Sequence, residues 1–238
     1  MINTKQLELK TTYNTRELGG IPSISGTYTK YGQFLRSDSV ANLTKEEIDE
    51  LYEYGIRTII DLRSSEELEM TGHVLKENAR FNFQHTPIYS VSPQELAMKL
   101  MVSPLSFLEQ YYLEVLKEKN TLANALKTIA SAPEGGILFH CFVGKDRTGL
   151  IAMLLLSLGN VEFSEIVKDY VPSFENIKQS PEIQALLETQ PAEMFYSKPE
   201  YMETVLDYLY TNYTSVENYV KALGLSEDEI SSIKARLI

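Results

Sequence analysis

Residues 135–149, Gly-Gly-Ile-Leu-Phe-His-Cys-Phe-Val-Gly-Lys-Asp-Arg-Thr-Gly, constrain the fold of this chain more than any other stretch. The apolar run from Ile137 to Phe139 has the length and bulk of a short buried strand. A turn carrying the chain's single cysteine, Cys141, follows, and Leu150 to Leu156 then begins a buried helix. A strand that passes through a tight turn into a helix aims backbone N–H groups and the positive end of the helix dipole at one place. Such a place suits a phosphate or another compact dianion.

Cys141 opens the turn and Arg147 closes it. With the loop wrapped around an anion, a sulfur lies at its floor and a guanidinium fork at its rim. The electropositive site favours the thiolate of Cys141. The fork of Arg147 matches two phosphoryl oxygens, which a lysine could not do. The hydroxyl of Thr148 can donate to the sulfur when the thiolate leaves. The plain alternative for a lone cysteine is a small buried hydrophobe. That role requires neither Gly144 nor the three consecutive charges Lys145, Asp146 and Arg147. The stretch is not a Walker A loop, because Asp146 follows Gly-Lys where Ser or Thr is needed and the upstream glycine spacing fails.

The run His140-Cys141-x-x-Gly144-Lys145-Asp146-Arg147-Thr148-Gly149 resembles the loop of the bacterial tyrosine/serine protein phosphatases, within the cysteine-based phosphatase superfamily. Asn14-Thr15-Arg16-Glu17-Leu18-Gly19-Gly20 and Ile59-Ile60-Asp61-Leu62-Arg63-Ser64 resemble the same family, and Leu35-Arg36-Ser37-Asp38 is a weaker match. Together these stretches span roughly residues 14–157; the C-terminal third carries no recognised motif. The resemblance implies broad specificity over phosphotyrosine, phosphoserine/threonine and phosphoinositides.

The expected fold class is α/β: a central, mostly parallel sheet flanked by helices, cysteine-phosphatase-like, with a helical C-terminal third and a helical lid. One domain over residues 1–238 is expected, with the lid at about 93–119 and the all-helical part at about 160–238. A single cysteine excludes an intramolecular disulfide and, with no signal core in Met1–Lys10 and no run able to span a bilayer, points to the cytoplasm. The net charge of −11 argues against nucleic acid and anionic membranes as partners. The phosphate site must therefore be locally basic, and Arg16, Arg63, Lys145 and Arg147 lie in the matching stretches. Oligomeric state is left open.

Along the chain, residues 6–36 read as β-structure, with a turn at Ser25-Gly26 between Ile21-Pro22 and Thr27–Thr29. Arg16 either flanks the phosphate loop or lies on the surface. Thr44-x-x-Glu47 is a capping box opening a helix that runs to Gly55. Ile56–Leu62 is a β-branched run fit for a buried parallel strand. Asp61 and Arg63 lie at its carboxyl end, where ligands collect in open α/β sheets, unless they serve as an N-cap or ion pair for the helix 65–70. Phe81–Pro87 reads as another strand. Residues 93–119 read as two helices broken near Ser103-Pro104, either plain core or a lid over the loop. Asn120 or Thr121 caps the next helix to Ala130. Ser180, Ser197 and Ser226 open helices in the tail, whose tyrosines read as packing residues. His140 is expected to orient the loop by hydrogen bonding, whereas His73 and His85 look isolated and structural. No ligand spacing suggests a metal, and no cofactor is expected.

The chemistry these residues favour is metal-free hydrolysis of a phosphate monoester. Cys141 attacks phosphorus while the N–H groups of Phe142, Val143, Gly144, Lys145, Asp146 and Arg147, with the Arg147 guanidinium, hold the equatorial oxygens. Thr86–Ser92 carries no carboxylate before Glu95, so Asp146 is the first choice for the general acid, with Asp61 second. Lys145 adds a second cation beside the phosphate, which brings phosphoinositides into competition with phosphorylated protein. A non-catalytic phosphate-binding module and a rhodanese-like sulfurtransferase are the readings from other classes.

Overall fold

The computed structural model describes residues 7, 9–89 and 105–238. The apolar run after Gly135 is strand β5, Gly136–His140, with every residue buried. It lies in the middle of a five-stranded sheet with β1 (Arg16–Glu17), β2 (Phe34–Ser37), β3 (Ile56–Asp61) and β4 (Asn82–His85), in the order β1-β2-β5-β3-β4. Only the short edge strand β1 runs antiparallel to its neighbour. The central strands β2, β5 and β3 are largely apolar and almost wholly buried because both faces are covered. Ile137, Phe139 and Ile60 enter one core with helix α5 (Asp146–Leu158), and Leu138, Leu35 and Ile59 enter a second with Ile48 and Leu51 of helix α1 (Lys45–Tyr54). This is the α/β arrangement expected, a central and mostly parallel sheet between helices.

Helix starts follow local chemistry where a hydroxyl and a glutamate are correctly spaced. Thr44 with Glu47, Ser64 with Glu67, Ser106 with Glu109 and Ser226 with Glu229 form reciprocal capping boxes. These open α1, α2 (Ser65–Thr71), α3 (Phe107–Lys117) and α11 (Glu227–Leu237). Two expected starts are corrected. Helix α4, Lys119–Ala130, begins before Asn120 and Thr121 and has Glu118 at its N-cap with no side-chain cap. Ser197 does not cap α9 (Pro199–Tyr213); Lys198 stands there. The Ser197 hydroxyl instead donates to the carbonyl of Val171 (2.6 Å) and accepts from the N–H of Phe174 (2.9 Å).

The N-terminal stretch is less regular than its alternation implies. Besides β1 and β2 it takes part in two isolated antiparallel bridges, Pro22 to Tyr28 and Ser23 to Val161. The Thr29 hydroxyl donates to Leu18 C=O (2.6 Å) and accepts from Ile21 N–H (2.9 Å), giving backbone groups a side-chain partner in place of a ladder. The first of the two helices expected over 93–119 lies outside the described residues. The second is α3, which buries Leu108, Tyr112, Val115 and Leu116. After α5 every described element is helical: α6 (Phe163–Tyr170), α7 (Ser173–Ile177), α8 (Pro181–Leu187), a 3-10 turn at Ala192–Met194, α9, α10 (Val216–Ala222) and α11. Among the described residues, no helix is long and apolar enough to cross a membrane.

Candidate active site

Ser37, His140 and Asp61 stand side by side at the carboxyl ends of β2, β5 and β3. Cys141 leaves the sheet from this rung, at the position where ligands gather in open α/β folds. The loop that follows has every carbonyl tied away from its centre. His140 C=O accepts from Leu62 N–H at 2.8 Å, and Phe142 C=O from Ser39 N–H at 2.9 Å. Cys141 C=O pairs with Nδ1 of its neighbour His140 at 3.0 Å, Val143 C=O accepts from Asn14 Nδ2 at 3.1 Å, and Gly144 C=O from Arg36 Nη2 at 2.8 Å. Lys145 C=O accepts from Gly149 N–H in the first turn of α5 at 2.9 Å.

The donors behave in the opposite way. Among the described residues, no group accepts from the N–H of any residue from 142 to 147. Backbone donors are seldom left without partners, so six in succession mark a place where an acceptor is meant to sit. Gly144 makes the turn possible. Its φ is +68°, and a Cβ there would come within 2.5 Å of the Ser37 carbonyl oxygen and the Asp38 nitrogen.

Arg147 follows on α5 and is gripped end-on by Glu67 of α2, with Nη1 to Oε2 at 2.6 Å and Nη2 to Oε1 at 2.8 Å. Burial would lower the Arg147 pKa, but the bonds to Glu67 and the nearby Cys141 outweigh it and push it up. Two of five guanidinium N–H donors are engaged, leaving three. Glu67 thus caps its own helix and aims the arginine. Neither role was read from the sequence.

Arg16 does not reach the loop directly. It donates to Asp169 Oδ1 (3.0 Å), to Asp169 C=O (2.7 Å) and to Asn14 Oδ1 (2.6 Å). Asp169 also pairs with buried Arg36, whose other arm holds Gly144. Burial and the neighbouring Arg36 lower the pKa of Arg16 to about 10, which leaves it charged at neutral pH.

Lys145 departs from expectation. Its buried Nζ is turned to Asp146 Oδ1 (2.7 Å) and to the carbonyls of Met194 (3.3 Å) and Tyr196 (3.2 Å), so it is not a second cation presented to the phosphate site. Asp146 Oδ1 also accepts from the hydroxyl of Tyr112 (2.7 Å), which is joined to that of Tyr170 (2.6 Å). Burial and the Asp146 carboxylate push the pKa of both tyrosines up, so both remain protonated. Asp146 Oδ2 has no hydrogen-bond partner among the described residues, and the side chain is 20% exposed. The Thr148 hydroxyl is buried and also without a partner, the sulfur of Cys141 included.

Asp61 and Arg63 form a buried ion pair, with Arg63 Nε at 3.0 Å from Oδ1 and Nη2 at 2.7 Å from Oδ2. Arg63 also donates to Thr71 Oγ1 and Gly72 C=O at the end of α2. The ion pair weighed for these residues is thus present, at the carboxyl end of β3 where the sequence placed them. Burial would raise the Asp61 carboxyl, but the bonds it accepts from the Arg63 guanidinium and N–H hold it down to about 2.

His73 is not isolated. Its Nε2 lies 3.0 Å from Nε2 of His140, and its Nδ1 accepts from Leu75 N–H at 3.1 Å. His85 Nε2 meets Arg63 C=O at 2.9 Å. Asp61, His73 and His140 bring potential metal-ligating atoms within 4.8 Å of one another. The donor set does not fit a cation. A neutral imidazole bound through Nε2 carries its proton on Nδ1, which in His73 would confront the Leu75 N–H.

A model of the tyrosine phosphatase family matches residues 7–238 of the chain. A tyrosine-protein phosphatase of Nostoc commune is 29% identical over 228 residues, 91% of this chain and 78% of that protein. A putative tyrosine-protein phosphatase of Cupriavidus necator is 26% identical, over 90% and 82%. The triple specificity protein phosphatase PtpB of Mycobacterium tuberculosis is 22% identical, over 97% and 98%.

The Asp61 environment has a consequence for stability. A carboxyl whose folded pKa is depressed stabilises above its unfolded value, and that stability is lost as pH falls through the folded pKa. In urea unfolding between pH 4 and 2, the wild type should therefore lose roughly 2 kcal/mol that Asp61→Asn never had. Equal slopes in the two proteins would refute the assignment. Gly144→Ala should cost more than about 1–2 kcal/mol, the left-handed penalty alone, because the methyl also meets backbone. A chain of unchanged urea midpoint and unchanged affinity for inorganic phosphate would contradict that.

Proposed function

The chain belongs to the tyrosine phosphatase family, and from that premise we propose that it hydrolyses phosphate monoesters through a cysteinyl-phosphate on Cys141. The observation that carries this reading is the run of six unpartnered N–H groups, 142–147, around the carboxyl end of β5. In the first step the Cys141 thiolate attacks phosphorus in line and the bond to the leaving oxygen breaks. The six amides and the remaining donors of Arg147 hold the equatorial oxygens, which gain from donors already fixed in place. Asp146 delivers a proton from Oδ2 to the leaving oxygen, its Oδ1 being held by Tyr112 and Lys145.

In the second step water attacks phosphorus, Oδ2 takes the water proton and the thiolate departs. The unengaged hydroxyl of Thr148 is the donor assigned to the sulfur. Asp61 is the poorer candidate for the acid, because a carboxyl held near 2 and bonded to Arg63 has no proton to give at neutral pH. Arg63 and Arg16 support the site through Asp61 and Asp169 and do not themselves touch substrate.

Phosphorylated protein is the proposed substrate class, with phosphotyrosine ahead of multiply phosphorylated inositides. With Lys145 turned to Asp146 and two carbonyls, a second phosphate would lack the cation the sequence offered it. The name of the PtpB relative favours activity on more than one phosphorylated group.

Cys141→Ser should lower para-nitrophenyl phosphate turnover by at least about four orders of magnitude while the far-ultraviolet circular dichroism is unchanged. Retained turnover, or tight phosphopeptide binding by the wild type with no phosphate release, would overturn the reading. Asp146→Asn should cost about 10²–10⁴-fold on a phosphotyrosine peptide and far less on para-nitrophenyl phosphate, whose leaving group needs little help. A larger selective loss in Asp61→Asn would move the acid to Asp61.

A further inference from the structure

His140 is wholly buried, and its two ring nitrogens face groups that ask for different things. Nδ1 faces the carbonyl of Cys141, which can only accept. Nε2 faces His73 at 3.0 Å and the Asp61 carboxylate at 3.8 Å. Left to itself, Asp61 would draw the single proton of a neutral His140 to Nε2. That tautomer would turn a bare Nδ1 lone pair on the Cys141 oxygen and release the first carbonyl of the loop.

His73 decides the matter. Its Nδ1 accepts from the Leu75 N–H, so its own proton is on Nε2, and one proton can lie between the two Nε2 atoms. His73 donates, His140 accepts, and the proton of His140 stays on Nδ1. We propose that His73 is a positioning residue for the phosphate loop, fixing through His140 the tautomer that holds the Cys141 carbonyl away from the substrate. The role rests on the reading of that loop as the catalytic site, and nothing in the spacing of His73 and Cys141 announces it.

The groups facing the pair agree with two neutral rings. From β3 and the turn after it come Asp61 and Arg63, from α5 Arg147, and from β4 the ring of Phe83 at 4.7 Å from that of His73. Burial lowers both histidines, His73 to about 3, assisted by its neighbour His140. Were His140 protonated, both Nε2 atoms would be donors facing each other, and were His73 protonated, its Nδ1 would confront the Leu75 N–H. In the absence of His73, an imidazolium at His140 could satisfy Cys141 C=O and Asp61 together, and its affinity for a proton would rise.

The test is ring-nitrogen NMR of the whole, ¹⁵N-labelled chain over about pH 5 to 8, with kinetics on the same samples. In the wild type, His140 should carry its proton on Nδ1 and His73 on Nε2, neither titrating. In His73→Phe, which keeps the edge contact with Phe83, the His140 proton should move to Nε2 or a second should appear. The pH profile of kcat should then gain an ionisation, with kcat reduced on the order of tenfold, the scale of a lost partner to an orienting histidine, and KM little changed. His73→Gln offers an N–H at the same reach and should restore both. A wild-type spectrum with the His140 proton on Nε2 overturns the proposal, as does His73→Phe with an unchanged His140 and unchanged kcat. If His73→Phe does not fold, the wild-type spectrum and His73→Gln decide. A correct tautomer in a chain without phosphatase activity would instead defeat the reading of the site and leave the relay intact.

Discussion

Six consecutive carbonyls, from His140 to Lys145, are each held by a donor outside the bowl of the loop. Everything functional follows from that constraint. A peptide unit whose oxygen is fixed on one side presents its N–H on the other, so binding the oxygens outward orients the nitrogens inward at no cost during the reaction. Four of the six donors come from outside the stretch, from the β3 exit, the β2 exit, the N-terminal segment and the buried Arg36, and the His140 ring and the Gly149 N–H supply the other two. Such a loop cannot form from its own fifteen residues. It is assembled only when the sheet is.

That dependence explains the buried charges. Arg36 is wholly buried and is tolerated because Asp169 pairs with it while Gly144 accepts from its other arm. Asp169 in turn holds Arg16, which holds Asn14, which reaches Val143. One carboxylate at the end of α6 thereby secures two loop carbonyls. The four cations expected to make the site locally basic in a chain of net charge −11 are not in surplus. Arg16, Arg63, Lys145 and Arg147 are each matched by a carboxylate: Asp169, Asp61, Asp146 and Glu67. In the proposed mechanism the attraction for a dianion rests on the amide dipoles, the start of α5 and the remaining donors of Arg147, more than on surplus cations.

The sheet and its central loop were legible in the sequence because they are local. Ile137–Phe139 is a continuous apolar run, Ile56–Asp61 is rich in isoleucine, and Thr44 and Ser226 sit three residues before their glutamates. What escaped was set by contacts across the chain. Glu67 caps its own helix and is also the clamp on Arg147, 80 positions away. Tyr112 and Tyr170 are buried, yet the Tyr112 hydroxyl donates to Asp146 and is joined to that of Tyr170. Lys145 reads as a phosphate ligand, but the segment after Ala192 supplies carbonyls that turn it aside. His73 has no neighbour in sequence to betray its partner. Side chains with two roles, one local and one distant, show only the first in a one-dimensional reading.

The orientation of the six amides is best tested by titrating the ¹⁵N-labelled chain with inorganic phosphate and following backbone amide shifts. The amides of residues 142–147 should move downfield together, with one dissociation constant and the largest displacements in the molecule. Saturation that leaves those amides in place, or that moves another part of the surface instead, would contradict the account.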